Sequence, residues 1–562
     1  MSFNYKIEIP KCSIENAIHI LKTDNLVVNN LPIHNKSKSP LDLIINSNEL
    51  KKFKDNDDLL KEDSFIYIAR VGKKFDGHTL IEKILSSKNY FIGNEENVID
   101  IAKKNNYSDD WLSKIINNPY FIKVIDTEKT IHLLFEKCYQ INKEYFNTIA
   151  VTGTNGKTSV VQICSQIFEF LTAKKCLRIG TLGLQIGEYN MESSHVTTPD
   201  YPALLSIINL CQKNNIDKIV MEATSHGLLE KRLGNWKVNT AIFTNLTQDH
   251  LDYHGTMDNY RNAKLKLFDE YLNENGCAII CTNNFDWEFF AKRAVGNKRT
   301  LIGVGNENIS NSFFSTFKNL FKSVFYLSII DQKSSLKGIS GTLILKDSHK
   351  TLESEYFSAP IIGNFQFDNI MCSIATMFND GFKISEISKK LVNIKNIPGR
   401  LEIVKHKTEF DNKFPTVLVD YAHSPDALEK AIVVCKNILS LEGKGKLITV
   451  FGCGGDRDKT KRAIMGKIAS TLSDKVIVTS DNPRNEDPGK IIDDIFTGIN
   501  SNYNCFRESD RKKAIEFAIN SAEQFDLILV AGKGHEDYQI IGETKYPFSD
   551  SQIALSILSK EN

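Results

Sequence analysis

A glycine-rich loop between a strand pattern and a helix pattern is the feature that most constrains this chain of 562 residues. Residues 147–151 form an apolar strand pattern, and apolar residues recur at helical spacing over 159–171. The loop between them ends in Gly156, Lys157 and Thr158. Glycines allow backbone N–H groups to converge on an anion, and the start of a helix adds positive potential. The pattern therefore predicts a phosphate-binding loop.

Two side chains of this loop suit a nucleoside triphosphate. Lys157 supplies a point charge for the β- and γ-phosphates, and the Thr158 hydroxyl is placed to reach Mg²⁺. The usual pattern has a glycine where this chain has Val151, and Gly153 takes its place in a shorter loop. The predicted nucleotide-binding residues of the loop are Gly153, Thr154, Asn155, Gly156, Lys157, Thr158 and Ser159.

Strand and helix patterns alternate along most of the chain, which predicts an α/β fold with mostly parallel sheets covered by helices. Three zones differ in texture, and we interpret them as a smaller N-terminal domain over 1–146, a central domain over 147–396 and a second α/β domain over 397–562. Residues 307–355 break the alternation, so we expect an insertion rich in hairpins there. The other strands predicted in the last two zones are 218–221, 240–244, 416–419, 447–451, 475–479 and 527–530.

The composition excludes several classes of protein. Lys and Arg number 70 against 69 Asp and Glu, so charge gives no reason to expect a nucleic-acid or membrane-surface partner. No run of eighteen apolar residues suggests a membrane span, and the N-terminal residues lack the apolar core of a signal peptide. Eleven scattered cysteines do not form a disulfide framework, and Cys277 and Cys281 lie in an apolar run that predicts buried strand residues. We expect a reduced, cytoplasmic protein of several domains.

Polar side chains follow two of the predicted strands. Glu222 comes directly after the strand 218–221, and Asp249 and His250 follow the strand 240–244. Ligands bind at the carboxyl ends of strands in open α/β sheets, and Mg²⁺ prefers carboxylate oxygens. Glu222 is therefore a candidate Mg²⁺ ligand close to the phosphate loop.

Taken together, these motifs resemble the Mur ligase family, the ATP-dependent amide-bond-forming enzymes that assemble the peptidoglycan stem peptide. The resemblance rests on residues 153–158, 222–227 and 244–250, and it is specific over 147–562 but weak over 1–146. Further matching motifs lie at residues 363–369, 398–400, 420–427, 451–458, 481–484 and 532–538.

The resemblance implies a UDP-binding N-terminal domain, an ATP-binding central domain and a Rossmann-like C-terminal domain that binds the incoming amino acid. In this family ATP phosphorylates a carboxylate of the substrate, and an amino group then attacks the acyl phosphate. ATP and Mg²⁺ are the implied cofactors. The implied partners are small molecules, namely a UDP-muramyl dipeptide and an amino acid, with no nucleic acid and no membrane insertion. A monomer is favoured.

The resemblance also assigns residues near the phosphates. The implied catalytic residues are Lys157, Glu222, His250 and Lys264, and the implied metal ligands are Thr158, Glu222, His250 and Lys264, the last as a carbamate. Further nucleotide contacts are Asn369, Arg400 and Asp420, with His423 near the phosphates. The alternative interpretation makes Asn369 a helix cap and Arg400 a surface ion-pair residue.

The UDP-muramyl site departs most from the family pattern. Val196 stands where an asparagine is expected, Thr224 replaces a serine, and Glu230 replaces a glutamine. Asn46, Ser47 and Asn48 replace an Asp-Ser-Arg triplet, and Lys73 and Lys74 offer charge for a diphosphate. The residues assigned to this site are Ile45, Ser47, Thr197, Thr198, Thr224, Glu230 and Arg232.

The motif that begins at Asp481 bears on the incoming amino acid. meso-Diaminopimelate differs from lysine by one more carboxylate, which a planar guanidinium such as that of Arg484 grips through two hydrogen bonds. Another interpretation makes Arg484 a surface residue paired with Glu486 or Asp487. The residues assigned to diaminopimelate are Arg457, Asp481, Asn482, Pro483, Arg484, Gly532 and Glu536.

Three other functions stay open at this point. A lysine-adding sister ligase differs in its amino acid, and a ligase that adds glutamate to folate shares the phosphate loop and the Mg²⁺ residues. A regulatory NTPase with the same loop would hydrolyse its nucleotide without any amino-acid substrate.

Overall fold

The computed structural model of the chain describes residues 9–27, 41–45, 65–71, 76–191, 197–404, 414–500 and 504–559. The chain divides into two compact units. The first comprises residues 1–146, 199–217 and 231–236, and the second comprises 147–198, 218–230 and 237–562. The division into three domains stays a prediction.

The described residues form four sheets, whose strands are numbered in chain order. The strands are β1 (Lys11–Cys12), β2 (Leu41–Ile44), β3 (Phe65–Ile68), β4 (Tyr90–Gly93), β5 (Phe121–Lys123), β6 (Asn147–Thr152), β7 (Leu177–Gly180), β8 (Gly183–Ile186), β9 (Tyr189–Met191), β10 (Lys218–Glu222), β11 (Val238–Phe243), β12 (Leu272–Cys281), β13 (Gly296–Val304), β14 (Phe321–Ser335), β15 (Gly338–Lys346), β16 (Thr351–Ala359), β17 (Glu402–Ile403), β18 (Thr416–Asp420), β19 (Leu447–Phe451), β20 (Lys475–Val478), β21 (Cys505–Arg507), β22 (Leu527–Ala531), β23 (Tyr538–Ile541) and β24 (Thr544–Pro547).

The α-helices of the same residues are numbered in the same way. They are α1 (Ile14–Thr23), α2 (Ile81–Ser86), α3 (Glu95–Lys104), α4 (Asp109–Ile116), α5 (Thr127–Tyr139), α6 (Lys157–Thr172), α7 (Tyr201–Lys213), α8 (Ser225–Leu229), α9 (Leu251–His254), α10 (Met257–Lys266), α11 (Trp287–Arg293), α12 (Ser310–Phe317), α13 (Gln366–Asn379), α14 (Ile384–Ser388), α15 (Pro425–Glu442), α16 (Thr460–Leu472), α17 (Pro488–Phe496), α18 (Arg511–Asn520) and α19 (Asp550–Leu558).

The first unit is built on one sheet with the strand order β1-β2-β3-β4-β5. β1 pairs antiparallel with β2, and β2 to β5 are parallel. Every residue of β3 and β4 is buried, as expected for parallel strands covered on both faces. α7 belongs to this unit, and its Tyr201 packs edge-on against His132 of α5, with 4.6 Å between the ring centroids.

The second unit contains a large sheet with the order β16-β15-β14-β13-β12-β11-β6-β10-β7-β8-β9. From β14 to β7 the strands run parallel, and β6 lies between β10 and β11. The predicted strands 147–151, 218–221 and 240–244 are confirmed as β6, β10 and β11 to within two residues. Their residues are almost all buried because helices cover both faces.

The predicted insertion is confirmed as two antiparallel hairpin connections, β14 to β15 and β15 to β16, at one edge of this sheet. The helix α12 precedes them, so the insertion is not made of hairpins alone. Cys277 and Cys281 lie in β12 and are buried, as predicted for strand residues.

A further sheet of the second unit has the order β17-β18-β22-β19-β20-β21. It is parallel except for β17, and the predicted strands 416–419, 447–451, 475–479 and 527–530 are confirmed as β18, β19, β20 and β22. The short hairpin β23–β24 stands apart from it. Within the described ranges, no helix has the length and apolarity needed to cross a bilayer.

A buried ion pair joins the start of β10 in the large sheet to the end of α13. This pair leads to a prediction about the stability of the protein. Lys218 starts β10, Asp380 follows α13, and their side chains are 3% and 10% exposed. Replacing Asp380 by Ala leaves a buried ammonium without its partner, so we expect about 3 kcal/mol less free energy of unfolding. Urea unfolding curves measure this loss.

The control is Glu288→Ala, which removes an exposed pair with Lys292. Exposed pairs contribute little, so its urea midpoint should stay at the wild-type value. Equal midpoints for the two variants would contradict a stabilising role for the buried pair.

Candidate active site

The predicted phosphate loop connects β6 to α6 and depends on two glycines. Gly153 has a φ of 152° and Gly156 a φ of 88°, both in the region that favours glycine. A Cβ atom at Gly156 would overlap the side-chain oxygen of Asn369, and one at Gly153 would overlap the Thr244 hydroxyl. The loop thus needs glycine both for its backbone and for close packing.

Residues at the end of β11 hold the loop in place. The Thr244 hydroxyl donates to the Asn155 carbonyl oxygen at 2.6 Å. The Asn245 side-chain oxygen accepts from the Asn155 N–H at 2.9 Å, and the Asn245 carbonyl oxygen accepts from the Thr154 N–H at 2.9 Å. Thr244 and Asn245 had no role predicted from the sequence, although both belong to the motif at residues 244–250.

Lys157 lies at the first position of α6 and bends back over the loop. Its ammonium donates to the carbonyl oxygens of Gly153 at 2.9 Å and Thr154 at 2.8 Å. Burial lowers the pKa of Lys157, while the carboxylates of Glu222 and Asp249 oppose that shift. The ammonium therefore stands where the phosphates of a bound nucleotide would meet the loop.

Thr158 and Glu222 contact each other directly beside the loop. The Thr158 hydroxyl donates to Glu222 Oε1 at 2.9 Å, and Arg400 Nη2 donates to the Thr158 hydroxyl at 3.1 Å. The Thr181 N–H donates to Glu222 Oε1 at 2.8 Å, and the Thr181 hydroxyl lies 3.2 Å from Oε2. Thr181 was missed by the sequence analysis, and no local pattern marks it.

Lys264 is buried on α10, with 1% of its surface exposed. Its ammonium donates to the Gly153 carbonyl oxygen at 2.7 Å and lies 4.3 Å from the centre of the Tyr260 ring. Burial lowers the pKa of Lys264 well below its ordinary value, and the nearby charge of Lys157 lowers it further. Lys264 is thus not a solvated helix lysine.

His250 lies directly before α9 with a φ of 53°. Its Nε2 lies 3.5 Å from Asp249 Oδ2, and its ring centre lies 5.0 Å from that of His226. Desolvation lowers the pKa of His250, the Asp249 carboxylate opposes that shift, and the charges of Lys157 and Lys264 add to it. The predicted catalytic residues therefore lie close enough for their charges to shift one another's pKa values.

The donor set near the loop fits a magnesium ion shared with phosphate. Mg²⁺ commonly takes one or two protein ligands and completes its shell with water and substrate phosphates. Thr158 and Glu222 offer adjacent oxygens, which is the chemistry this ion prefers. Over the described ranges, no group of three or more His, Cys, Asp or Glu side chains is placed to bind a metal alone.

A cavity of about 290 Å³ opens beside the loop. It is lined by six predicted nucleotide residues, namely Asn155, Gly156, Ser159, Asn369, Arg400 and Asp420. Burial raises the pKa of Asp420, whose carboxylate accepts from the N–H groups of Leu401 and Ala422, each at 2.8 Å. Asn369 lies inside α13, so it is not a helix cap.

Other lining residues were not predicted, and one predicted residue does not line the cavity. Asp368 and Asn283 are both lining residues, and the Asn283 amide donates to Asp368 Oδ1 at 2.7 Å. His423 is absent from the lining, and its Nδ1 lies 2.9 Å from the Tyr421 carbonyl oxygen.

The residues assigned to the UDP-muramyl substrate are divided between the two units. In the second unit, the Thr198 hydroxyl donates to the Glu222 carbonyl oxygen at 2.9 Å and lies 3.1 Å from the Thr224 hydroxyl. Thr224 caps α8, and Glu230 accepts from the Tyr253 hydroxyl at 3.1 Å.

The remaining residues of this site have other positions. Thr197 also belongs to the second unit and is half-buried, whereas Ile45 and Arg232 belong to the first. The predictions for Asn46, Ser47, Asn48, Lys73, Lys74 and Val196 lie outside the described residues.

Most residues assigned to the amino acid lie in the loops that follow the carboxyl ends of β20 and β22. The Asn482 amide donates to Glu536 Oε2 at 2.8 Å, and Lys533 Nζ donates to the same oxygen at 2.8 Å. Lys533 also donates to Asn482 Oδ1 at 3.2 Å. Gly532 has a φ of 114°, and a Cβ there would lie 2.6 Å from Asp481 Oδ2. Lys533 was missed, although its motif was noted.

Arg484 is not the ion-pair partner of Glu486 or Asp487. Its Nη1 donates to the Gly455 carbonyl oxygen at 2.8 Å, whereas Glu486 accepts from Arg462 at 2.9 Å and Asp487 caps α17. The Arg484 backbone is held by β23, because its N–H donates to the Ile540 carbonyl oxygen at 3.1 Å.

Two further residues complete the assigned set. Arg457 is exposed, and its Nη1 donates to the Asp456 carbonyl oxygen at 3.2 Å. Pro483 is buried, and its carbonyl oxygen would overlap a Cβ at Gly455.

Comparisons with known proteins show which family this chain belongs to. The Mur ligase middle domain model matches residues 151–377, and the Mur ligase, glutamate ligase domain model matches 399–534. A UDP-N-acetylmuramoyl-L-alanyl-D-glutamate–2,6-diaminopimelate ligase from Rickettsia bellii is 40% identical over 437 residues, covering 77% of this chain and 84% of that protein. The protein of the same name from Rickettsia prowazekii is 37% identical over 525 residues, covering 93% and 98%. The chain belongs to the Mur ligase family.

The solved structures give the same family. A structure named for the same diaminopimelate ligase superposes with a TM-score of 0.60 at 25% identity, covering 98% of this chain and 100% of that one. Mur ligases are ATP-dependent ligases that form amide bonds. In this Mur ligase the middle-domain match contains Lys157, Glu222, His250 and Lys264, and the glutamate-ligase match contains Arg484.

The position of Lys157 generates a prediction for turnover. Replacing Lys157 by Ala should lower kcat about a hundredfold or more, because preorganised charge near a reacting phosphate is lost. Steady-state phosphate release measures kcat, and circular dichroism checks the fold. The matched control is Lys436→Ala, which removes an exposed lysine paired with Asp474. Near-normal turnover of Lys157→Ala would overturn the assignment of the phosphate loop.

Proposed function

We propose that this Mur ligase uses ATP to add meso-diaminopimelate to UDP-N-acetylmuramoyl-L-alanyl-D-glutamate in peptidoglycan precursor synthesis. The observation that carries the proposal is the position of Arg484 and Glu536, which follow the carboxyl ends of β20 and β22 in one parallel sheet, on loops joined by the Asn482–Glu536 hydrogen bond at 2.8 Å. The relatives at 37–40% identity that are named for this reaction support it.

The chemistry begins with an unreactive carboxylate. A carboxylate resists attack by an amine because its leaving group would be oxide, and phosphorylation replaces that with phosphate. We assign Lys157 to offset the charge of the transferring phosphoryl group and the backbone N–H groups of the loop to hold the neighbouring phosphates. Bound Mg²⁺ would add charge neutralisation at the same phosphates, held by Thr158, Glu222, His250 and carbamylated Lys264.

Contacts between the phosphate loop and the last 166 residues of the chain, 397–562, support a shared nucleotide site. Arg400 reaches Thr158 at 3.1 Å, and the Asn155 amide donates to Asp426 at 3.0 Å. We assign Asn369, Arg400 and Asp420 to the nucleotide, with His423 close to its phosphates. The nucleotide would then lie between the two large sheets of the second unit.

Arg484 and Glu536 together suit the far end of diaminopimelate. Nη1 of Arg484 is held by the carbonyl oxygen of Gly455, and over the described residues its Nε and Nη2 have no hydrogen-bond partner. Those two donors match a carboxylate that lysine lacks. Glu536 offers a carboxylate to the distal ammonium, and Arg457 adds a second cation nearby.

We assign Thr197, Thr198, Thr224 and Glu230 to the UDP-muramyl dipeptide. All proposed residues belong to one chain, so a monomer suffices. We also propose a cytoplasmic location, where thiols stay reduced, because in the part of the chain that the structure describes the cysteines form no disulfide and are mostly buried.

A product assay tests the proposed function. The enzyme is given UDP-muramyl dipeptide, ATP and one amino acid at a time, and phosphate and the nucleotide-sugar product are followed. We expect phosphate only when all three substrates are present, and a product heavier by one diaminopimelate residue. Phosphate release from ATP alone would indicate a regulatory NTPase, and a preference for lysine or glutamate would contradict the substrate.

Arg484→Ala tests the specificity. Losing a charge-assisted contact of this kind should raise the KM for diaminopimelate about ten- to a hundredfold. Steady-state kinetics with diaminopimelate and with lysine measure the KM. The control is Arg507→Ala, which removes an exposed arginine of β21 that pairs with Asp493 of α17. An unchanged KM in Arg484→Ala defeats the assignment.

Lys264→Ala tests the carbamate. Only a neutral amine adds CO₂, and a free lysine has a pKa of about 10.4, so it is rarely neutral at pH 7. The lowered pKa of buried Lys264 increases the neutral fraction. We expect Lys264→Ala to be nearly inactive and to recover partly in acetate or formate, which fill the vacated space with a carboxylate.

The control for this experiment is Lys266→Ala on the same helix, whose lysine pairs with Glu270. It should keep wild-type activity and show no response to added carboxylate. Full activity of Lys264→Ala would show that the carbamate role is wrong.

A further inference from the structure

A fully buried ion pair lies directly behind the two loops that carry the residues assigned to the amino acid. The side chains of Arg511 and Asp550 are both 0% exposed. The guanidinium contacts the carboxylate through two arms, Nε to Oδ1 at 2.8 Å and Nη2 to Oδ2 at 2.7 Å. Arg511 is the first residue of α18 and Asp550 the first residue of α19, so the pair ties two helix starts together.

The remaining N–H groups of Arg511 reach the main chain at the start of each loop. Nη2 donates to the Ala531 carbonyl oxygen at 2.9 Å, and Nη1 donates to the Ser480 carbonyl oxygen at 3.3 Å. Ala531 directly precedes Gly532, and Ser480 directly precedes Asp481. β19 separates β20 from β22 in the sheet, so the guanidinium spans two strands that are not neighbours.

The carboxylates that influence Arg511 are its partner Asp550 and two residues of the assigned amino-acid site, Asp481 and Glu536. Burial acts to lower the pKa of Arg511, but Asp550 raises it overall, with smaller contributions from Asp481 and Glu536. Arg511 therefore stays a cation, and two carboxylates of the assigned amino-acid site lie within its field. A buried cation that keeps its charge needs all of its hydrogen-bond donors satisfied, which sets the distance between the two carbonyl oxygens.

We propose that Arg511, held by Asp550, is a positioning residue that fixes the spacing of the 481–484 and 532–536 loops and thereby sets the affinity for the amino-acid substrate. The proposal rests on the proposed function, because those loops carry Arg484 and Glu536. Two groups on separate loops bind the two charges of one small molecule only when their separation is fixed. The Asn482–Glu536 and Lys533–Asn482 contacts link the same loops further from the strand ends.

The experiment separates positioning from stability with two variants. Arg511→Met alone leaves Asp550 as a buried, unpaired carboxylate, so the variant should be strongly destabilised. The double variant Arg511→Met with Asp550→Leu removes both charges, and such replacements often retain or increase stability. We expect the double variant to recover the wild-type melting temperature but to keep a KM for diaminopimelate raised about tenfold or more, with the KM for ATP unchanged.

Two controls complete the set. Asp380→Asn disturbs the buried pair with Lys218 in the other large sheet, so it should lower the melting temperature and leave the KM for diaminopimelate at the wild-type value. Arg511→Lys keeps the charge but only part of the hydrogen bonding, so its KM should lie between those of wild type and the double variant.

The proposal would be overturned if the double variant regained both the wild-type stability and the wild-type KM for diaminopimelate. It would also be overturned if the KM of the double variant for ATP rose as much as its KM for diaminopimelate. The kinetics use whichever amino acid the wild-type enzyme accepts. A wild type that rejects diaminopimelate therefore contradicts the proposed function, and the KM of its true amino acid still decides the role of Arg511.

Discussion

Parallel pairing of β6 with β10 and β11 is the constraint on which the candidate site depends. The pairing aligns Val151 with Glu222 and Thr152 with Phe243, so three strands end at the same edge of the sheet. The residues that directly follow these strands are therefore brought close together by the strand pairing itself. The phosphate loop follows β6, Glu222 ends β10, and Thr244 and Asn245 follow β11.

The same edge concentrates cations where solvent is scarce. Lys157 and Lys264 both donate to the Gly153 carbonyl oxygen, and the charge of Lys157 lowers the pKa of Lys264. Two ammonium groups on one carbonyl oxygen repel each other at a real energetic cost. Polyphosphate binding would offset that cost, and so would the proposed conversion of Lys264 to an anionic carbamate.

Much of this arrangement could be predicted from the sequence, because it follows from local patterns. Strands buried on both faces are continuous apolar runs, and Glu222 was predicted as a ligand from its place directly after one of them. Asp420 also follows a predicted strand, but its assignment came from the family resemblance. The residues that escaped prediction act across long sequence separations. Thr181 contacts Glu222 from 41 positions away, and Arg511 contacts Asp550 across 39. The helix α7 belongs to the first unit because of tertiary packing. The hydrophobic periodicity of the sequence does not indicate which unit a helix packs against.

The central claim is that this Mur ligase activates a carboxylate by phosphorylating it, and oxygen transfer tests that claim most directly. The terminal carboxylate of the UDP-muramyl dipeptide is labelled with ¹⁸O on both oxygens, and the reaction is run with ATP and diaminopimelate. An acyl phosphate loses one carboxylate oxygen to the departing phosphate, so mass spectrometry should find one ¹⁸O in the phosphate for each amide formed. Phosphate without ¹⁸O would contradict the acyl-phosphate route and the account built on it.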